Sequence, residues 1–169
     1  TSHFVYKNNI EIINALIYLK ANKQDISKFK VYFTFDKYED LNLVDLIEDN
    51  GLTNNFVFLG RLKYLQSLGY FSGCDLVVFP SYIETFGFPL LEAAWYGKPI
   101  LASNEPFAYE VVSKYMGASL IDVHSPVQWG ELILKESTNP SEYDRYKANF
   151  SESWDVFFNL IKEILSKNR

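Results

Sequence analysis

Short apolar, β-rich runs alternate with stretches of helical hydrophobic period along most of this chain, and no other feature constrains its fold as strongly. Isoleucine and leucine recur at helical spacing over residues 10–19, and residues 30–35 alternate and are rich in aromatics. Residues 41–47 return to a helical period, 56–59 read as a strand, 62–71 as a helix and 76–79 as a strand. A helix over 89–96, a strand over 99–102, a helix over 106–113, a strand over 118–121 and a helix over 127–135 continue the series. Such repetition predicts an α/β, Rossmann-like fold: a mostly parallel sheet with helices on both faces and right-handed crossovers. Ligands of such folds bind beyond the carboxyl ends of the strands.

After Asn139-Pro140-Ser141 the pattern changes. Residues 143–169 read as a helix with Trp154, Phe157, Phe158, Ile161 and Leu165 at apolar positions, packed on the edge of the domain because charges recur throughout. With 169 residues, 48% hydrophobic and 17% aromatic, the chain can bury one sizeable core, and a single domain over 1–169 is the simplest expectation, with 139–169 as its C-terminal helical segment.

The run Leu76-Val77-Val78-Phe79-Pro80-Ser81-Tyr82-Ile83-Glu84-Thr85-Phe86-Gly87-Phe88-Pro89-Leu90-Leu91-Glu92-Ala93 carries the chemistry. Pro80 ends the strand, and Pro89 suits a first helical turn, where its missing N–H costs nothing. Gly87 lets the backbone approach a ligand closely, and the N–H groups of the helix start favour an anion such as a diphosphate. Glu84 falls in the loop and Glu92 about one turn into the helix. A plainer reading makes Glu92 a partner of the helix dipole and Glu84 an exposed loop acid.

Several function classes are disfavoured. A net charge of -5 argues against a nucleic acid held by a broad basic surface, and aromatics do not interleave with a basic face. Apolar stretches fall far short of the roughly 18 residues of a membrane span, and the start lacks a basic-then-apolar secretory pattern. Cys74 is the one cysteine, so neither an internal disulfide nor a cysteine cage can form, and His3 and His124 have no partner at metal-ligand spacing. No metal site is expected. A dinucleotide-dependent oxidoreductase would need a G-x-G-x-x-G turn after its opening strand, which is missing.

Glutamate, seven residues, glutamate, with Phe-Gly-Phe-Pro between and Ala-Ala-Trp-Tyr-Gly-Lys-Pro-Ile following, resembles the donor-site signature of retaining GT-B glycosyltransferases, specifically the family 4 group. The resemblance runs with falling specificity from Lys7 to about Ile121. It implies the donor-binding, C-terminal half of an enzyme that transfers a sugar from a nucleotide sugar to a glycan or glycoconjugate acceptor, as in polysaccharide biosynthesis, with an N-terminal acceptor domain absent from these residues. It also implies that the reaction needs no cofactor or bound metal, and that the full-length enzyme is cytoplasmic, with peripheral association at the inner membrane face open to it. In the family a strand precedes the first helix, whereas here Thr1 to Asn9 leads into it without an apolar run.

By the same resemblance Glu84 stands beside the donor sugar as the catalytic carboxylate, and Glu92 accepts the ribose hydroxyls, for which two acceptor oxygens suit it. The amides around Phe86, Gly87 and Phe88 hold sugar and phosphates, with Leu90 helping from the helix start. Lys7 matches the family's phosphate-binding lysine, although a solvated lysine is the simpler alternative; the accompanying arginine would fall near Thr1 or Ser2 and is absent. Gly60 and Leu62, in Val57-Phe58-Leu59-Gly60-Arg61-Leu62, match the turn that borders the nucleobase, and Arg61 either adds charge near the phosphates or faces solvent. Glu110, in the patch from Asn104, reaches the site rim or occupies a solvated helix face. A noncatalytic nucleotide-sugar-binding or interaction module on the same fold is the alternative function, and a plain scaffold a further one.

Overall fold

The computed structural model of the protein describes residues 3–138, 141 and 143–146. Its elements follow the β-α alternation: α1 (Asn9–Ala21), β1 (Val31–Phe33), α2 (Leu41–Asp49), β2 (Phe56–Phe58), α3 (Tyr64–Gly73), β3 (Val77–Phe79), α4 (Phe88–Trp95), β4 (Ile100–Ser103), α5 (Pro106–Val112), β5 (Ala118–Ile121) and α6 (Pro126–Thr138). Three short 3-10 turns, Val5–Lys7, Lys37–Glu39 and Thr53–Asn55, carry no periodic signal and were not expected.

All strand pairs are parallel, and the alternation of β4 explains the layering. Leu101 joins a core with α1 (Ile12, Ile13, Leu16, Leu19), α6 (Trp129, Ile133) and the strand residues Phe33, Phe56 and Ile121. Ile100 and Ala102 point the other way, into a second core with Leu90, Ala93 and Ala94 of α4 and Ala108, Val111 and Val112 of α5. Successive side chains of a strand leave opposite faces, so an apolar run with no polar partner alternation can bury both.

The strands form two parallel pieces, β1-β2 and β3-β4-β5, rather than one continuous sheet. Register is Val31 opposite Phe56 in the first, and Val77 opposite Ile100 and Ile100 opposite Ala118 in the second. Both pieces lie on one core, since Phe33 and Phe56 share it with Leu101 and Ile121. Among the described residues no strand joins β1 to β3. The segment ahead of α1 crosses between their ends instead: the His3 ring lies 6.4 Å from that of Phe35, just after β1, and the Tyr82 N–H, just after β3, donates to the Tyr6 carbonyl at 2.8 Å.

At the far end, residues 143–146 are irregular chain rather than the expected start of a helix. The Tyr146 N–H donates to the Ala94 carbonyl at 2.9 Å, and the rings of Tyr143 and Tyr146 pack on Tyr115. This docking against the end of α4 gives the Tyr146 N–H a tertiary partner in place of a helical one. The rest of the expected helix, from 147 with Trp154, Phe157, Phe158, Ile161 and Leu165, lies outside the described residues.

Candidate functional site

The loop between β3 and α4 is held at both ends. Ser103 donates its hydroxyl to the Ser81 carbonyl at 2.5 Å, and Tyr82 bonds the α1 side twice, through its N–H to Tyr6 and its hydroxyl to Asn8 Oδ1 at 3.0 Å. Asn8 adopts the left-handed conformation, φ 51°, as the N-cap of α1, a conformation asparagine tolerates. Its side-chain amide donates in turn to the Val123 carbonyl at 3.2 Å. These bonds hold the chain on either side of Lys7 and the strand end that leads to Glu84, two functional candidates. Lys7 Nζ donates to Glu84 Oε1, and the pair is sheltered, each side chain 15% exposed. The rings of Tyr6 and Phe79 border the ammonium at 5.3 and 5.6 Å to their centroids, within cation–π range.

At the other end of the loop, Gly87 caps α4 in the left-handed region at φ 83°, and Pro89 occupies the first turn. A side chain at 87 would be strained there and would press on Phe107 at 3.3 Å. The rings of Phe86 and Phe88 lie 4.8 Å apart and tilted by 47°, with Phe88 exposed. Leu90 has its side chain fully buried, and its N–H bonds the Gly87 carbonyl at 2.9 Å. Ahead of it in the first turn stands the Phe88 N–H, since Pro89 has none, and a helix start leaves such an N–H without an intrahelical acceptor.

Glu92 lines a cavity of about 270 Å³ between α3 and α4, with Tyr64, Leu68, Leu91, Trp95 and Tyr96. Burial pushes its carboxyl above the ordinary 4.5, partly offset by a hydrogen bond from the Tyr64 side chain. Glu84 does not line this cavity, so the two glutamates face different partners: one an ammonium, the other an aromatic cleft. Gly60, after β2, is left-handed at φ 68° with open space where a side chain would stand, and Leu62 is half-buried beside it. Arg61 turns to Glu39, at 3.3 Å with the guanidinium side chain 84% exposed. Glu39 also holds His3 at 3.0 Å, and its carboxyl lies below the ordinary range chiefly through the Asp36 backbone N–H, with Arg61 contributing. Arg61 thus sits in its own surface network and not with Lys7. Glu110 is exposed on α5, and His124 is exposed, its ring 5.6 Å from that of Tyr82. Burial pushes the Cys74 thiol up and keeps it protonated.

Asn8, Phe79, Tyr82 and Tyr64 were missed from the sequence. Asn8 stood beside Lys7 at a helix start, which is a signal for a cap, but the three others look like ordinary aromatic packing until the fold brings them to strand ends. Among the described residues no group of three His, Cys, Asp or Glu side chains is placed to hold a metal, and no helix is long and apolar enough to cross a membrane.

Solved structures with this fold include Anabaena Alr3699/HepE in complex with UDP, 23% identical with a TM-score of 0.70 over 82% of this chain and 38% of that one. Sucrose-phosphate synthase from Thermosynechococcus elongatus gives the same TM-score at 17% identity, over 93% of this chain and 43% of that one. Both likenesses concern the fold. In sequence, a D-inositol 3-phosphate glycosyltransferase of Paenarthrobacter aurescens is 28% identical over 116 residues, 68% of this chain and 28% of the relative. The O-antigen biosynthesis glycosyltransferase WclY of Escherichia coli is 26% identical over 147 residues, 80% of this chain and 41% of the relative. The chain therefore spans well under half the length of these curated relatives. One family model, glycosyl transferases group 1, matches residues 3–152, a span that takes in Lys7 and both glutamates. This chain belongs to that family.

Proposed function

We propose that this chain is the donor-binding half of a retaining glycosyltransferase, taking a nucleoside diphosphate sugar at the loops after β2 and β3 and serving transfer to a glycan or glycoconjugate acceptor. The observation that carries the reading is the meeting of Lys7 and Glu84 beside a glycine-opened helix start, with Glu92 in the adjoining cleft. Lys7 and the N–H groups of Gly87 and Phe88 at the start of α4 stabilise the leaving diphosphate as the glycosidic bond to phosphate breaks. Glu92 accepts the ribose hydroxyls, the backbone at Gly60 and Leu62 borders the base, Phe86, Gly87 and Phe88 frame the sugar and phosphates, and Glu84 faces the sugar. Positive charge from the protein takes the role that a cation plays elsewhere, so the reaction proceeds without a bound metal. Support comes from the relatives, which are named glycosyltransferases, and from the fold shared with a protein solved with UDP-glucose.

Hydrogen exchange on the chain titrated with a panel of nucleoside diphosphates and their sugars tests this directly. Protection of residues 84–90 and of the turn at Gly60 is the expected result. Protection elsewhere, or binding with no base or phosphate preference, overturns it.

A further inference from the structure

The Lys7–Glu84 ion pair spans 77 residues of sequence and closes on the lysine to which the proposed function assigns the diphosphate. Lys7 already has aromatic rings on two sides, so the carboxylate takes up its open polar approach. We propose that Glu84 is an internal stand-in for the ligand's phosphate: in the ligand-free protein it neutralises Lys7, and a diphosphate displaces it, which releases the carboxylate toward the sugar. The identity of the ligand rests on the donor-site reading above, whereas the exchange itself rests on the pair.

Three observations carry the exchange. First, Tyr82, two residues before Glu84, is tied to both neighbours of Lys7, by its N–H to the Tyr6 carbonyl and by its hydroxyl to Asn8, so the segment that carries Lys7 and the strand end that leads to Glu84 are held together while the two side chains exchange partners. Second, a diphosphate arriving beside an intact pair would face a carboxylate of like charge in a sheltered place, and such an arrangement is disfavoured until the carboxylate leaves. Third, Glu84 lies three positions before the Gly87 cap of α4, so a released carboxylate stays next to the helix start that receives the phosphates. A selectivity follows. A free sugar brings no charge to Lys7 and cannot free Glu84, so phosphate binding has to precede sugar recognition.

The test needs no enzyme turnover. Limited acylation of the ligand-free chain with acetic anhydride, read by peptide mass spectrometry, should find Lys7 protected relative to exposed lysines such as Lys23. Glu84→Gln should raise the rate at Lys7 several-fold and leave the others unchanged, and Glu84→Asp, whose shorter arm retracts the charge, should do the same should the first variant fold poorly. Calorimetry with inorganic pyrophosphate should find the Glu84→Gln variant binding about tenfold more tightly than the unmodified chain, the scale of one charged hydrogen bond, with Lys7→Met losing the interaction. Unchanged Lys7 reactivity in both Glu84 variants, or pyrophosphate affinity equal to or below that of the unmodified chain, overturns the exchange. Tighter pyrophosphate binding with no added gain from a nucleoside would instead uphold the exchange and sink the donor-site reading. Nucleotide binding that Glu84→Gln does not tighten would do the reverse.

Discussion

At the level of single residues, Glu92 gives the clearest handle on the site. Burial among Tyr64, Leu91 and Trp95 raises its carboxyl above 4.5, so it sheds its proton later than an exposed glutamate. Only the ionised form offers every oxygen as an acceptor to a ribose diol. Nucleotide affinity should therefore climb as the pH rises from about 4.5 through the elevated folded value, and calorimetry across that range should find Glu92→Gln weaker and nearly flat. The unmodified chain should also prefer ribose over 2′,3′-dideoxyribose nucleotides; equal affinity for the two would remove Glu92 from the ribose. The sign for stability is opposite. A native state that holds this proton more tightly than the unfolded chain loses that contribution as the pH rises through the same window, and the Gln variant does not. Arg61 illustrates what one residue in a sequence leaves open. Its type fits a phosphate partner, and only the fold placed Glu39 within its reach.

Among the elements, α1 and α6 pack most closely, and a mid-helix glycine explains how. Glycine inside a helix costs about 1 kcal/mol relative to alanine, so Gly130 needs a reason. A side chain there would meet the Ala15 carbonyl oxygen at 3.1 Å and the Tyr18 ring at 3.0 Å. The backbone carbonyl cannot step aside as a flexible side chain would. Gly130→Val should therefore destabilise the chain by about 1–3 kcal/mol, seen as a lower urea midpoint with an unchanged slope. A neutral midpoint would mean that the helices slide apart without penalty. The same level accounts for the split sheet. In the order that doubly wound folds commonly use, a central strand stands between the two outward-running sets. Here β1-β2 and β3-β4-β5 correspond to those sets, and residues 3–7 bridge their carboxyl ends with a 3-10 turn.

Considered whole, the chain covers 28% of one glycosyltransferase relative and 41% of another, and the proposed reaction needs an acceptor held in register with the donor. Positioning of that kind lowers a barrier by roughly 7–11 kcal/mol. The isolated chain should accordingly give no more than slow donor hydrolysis. Joining it to the acceptor-binding half of a parent enzyme, or supplying that half in trans, should restore transfer in the presence of a chelator. Robust transfer by the isolated chain would refute the half-enzyme reading, and full dependence on added Mg²⁺ or Mn²⁺ would overturn the metal-free one. The alternation of strand and helix periods, the glycine-opened start of α4 and the spacing of Glu84 and Glu92 were legible in the sequence, because periodicity and turn chemistry act between near neighbours. The helix assigned from 143 was misread where described, since tertiary partners on α4 and Tyr115 outweighed its local pattern. The split of the sheet, the separate environments of the two glutamates and the pairing of Lys7 with Glu84 belong to the tertiary structure alone. Each depends on where parallel crossovers set distant strand ends side by side, and no local preference within the sequence encodes a contact across 77 residues.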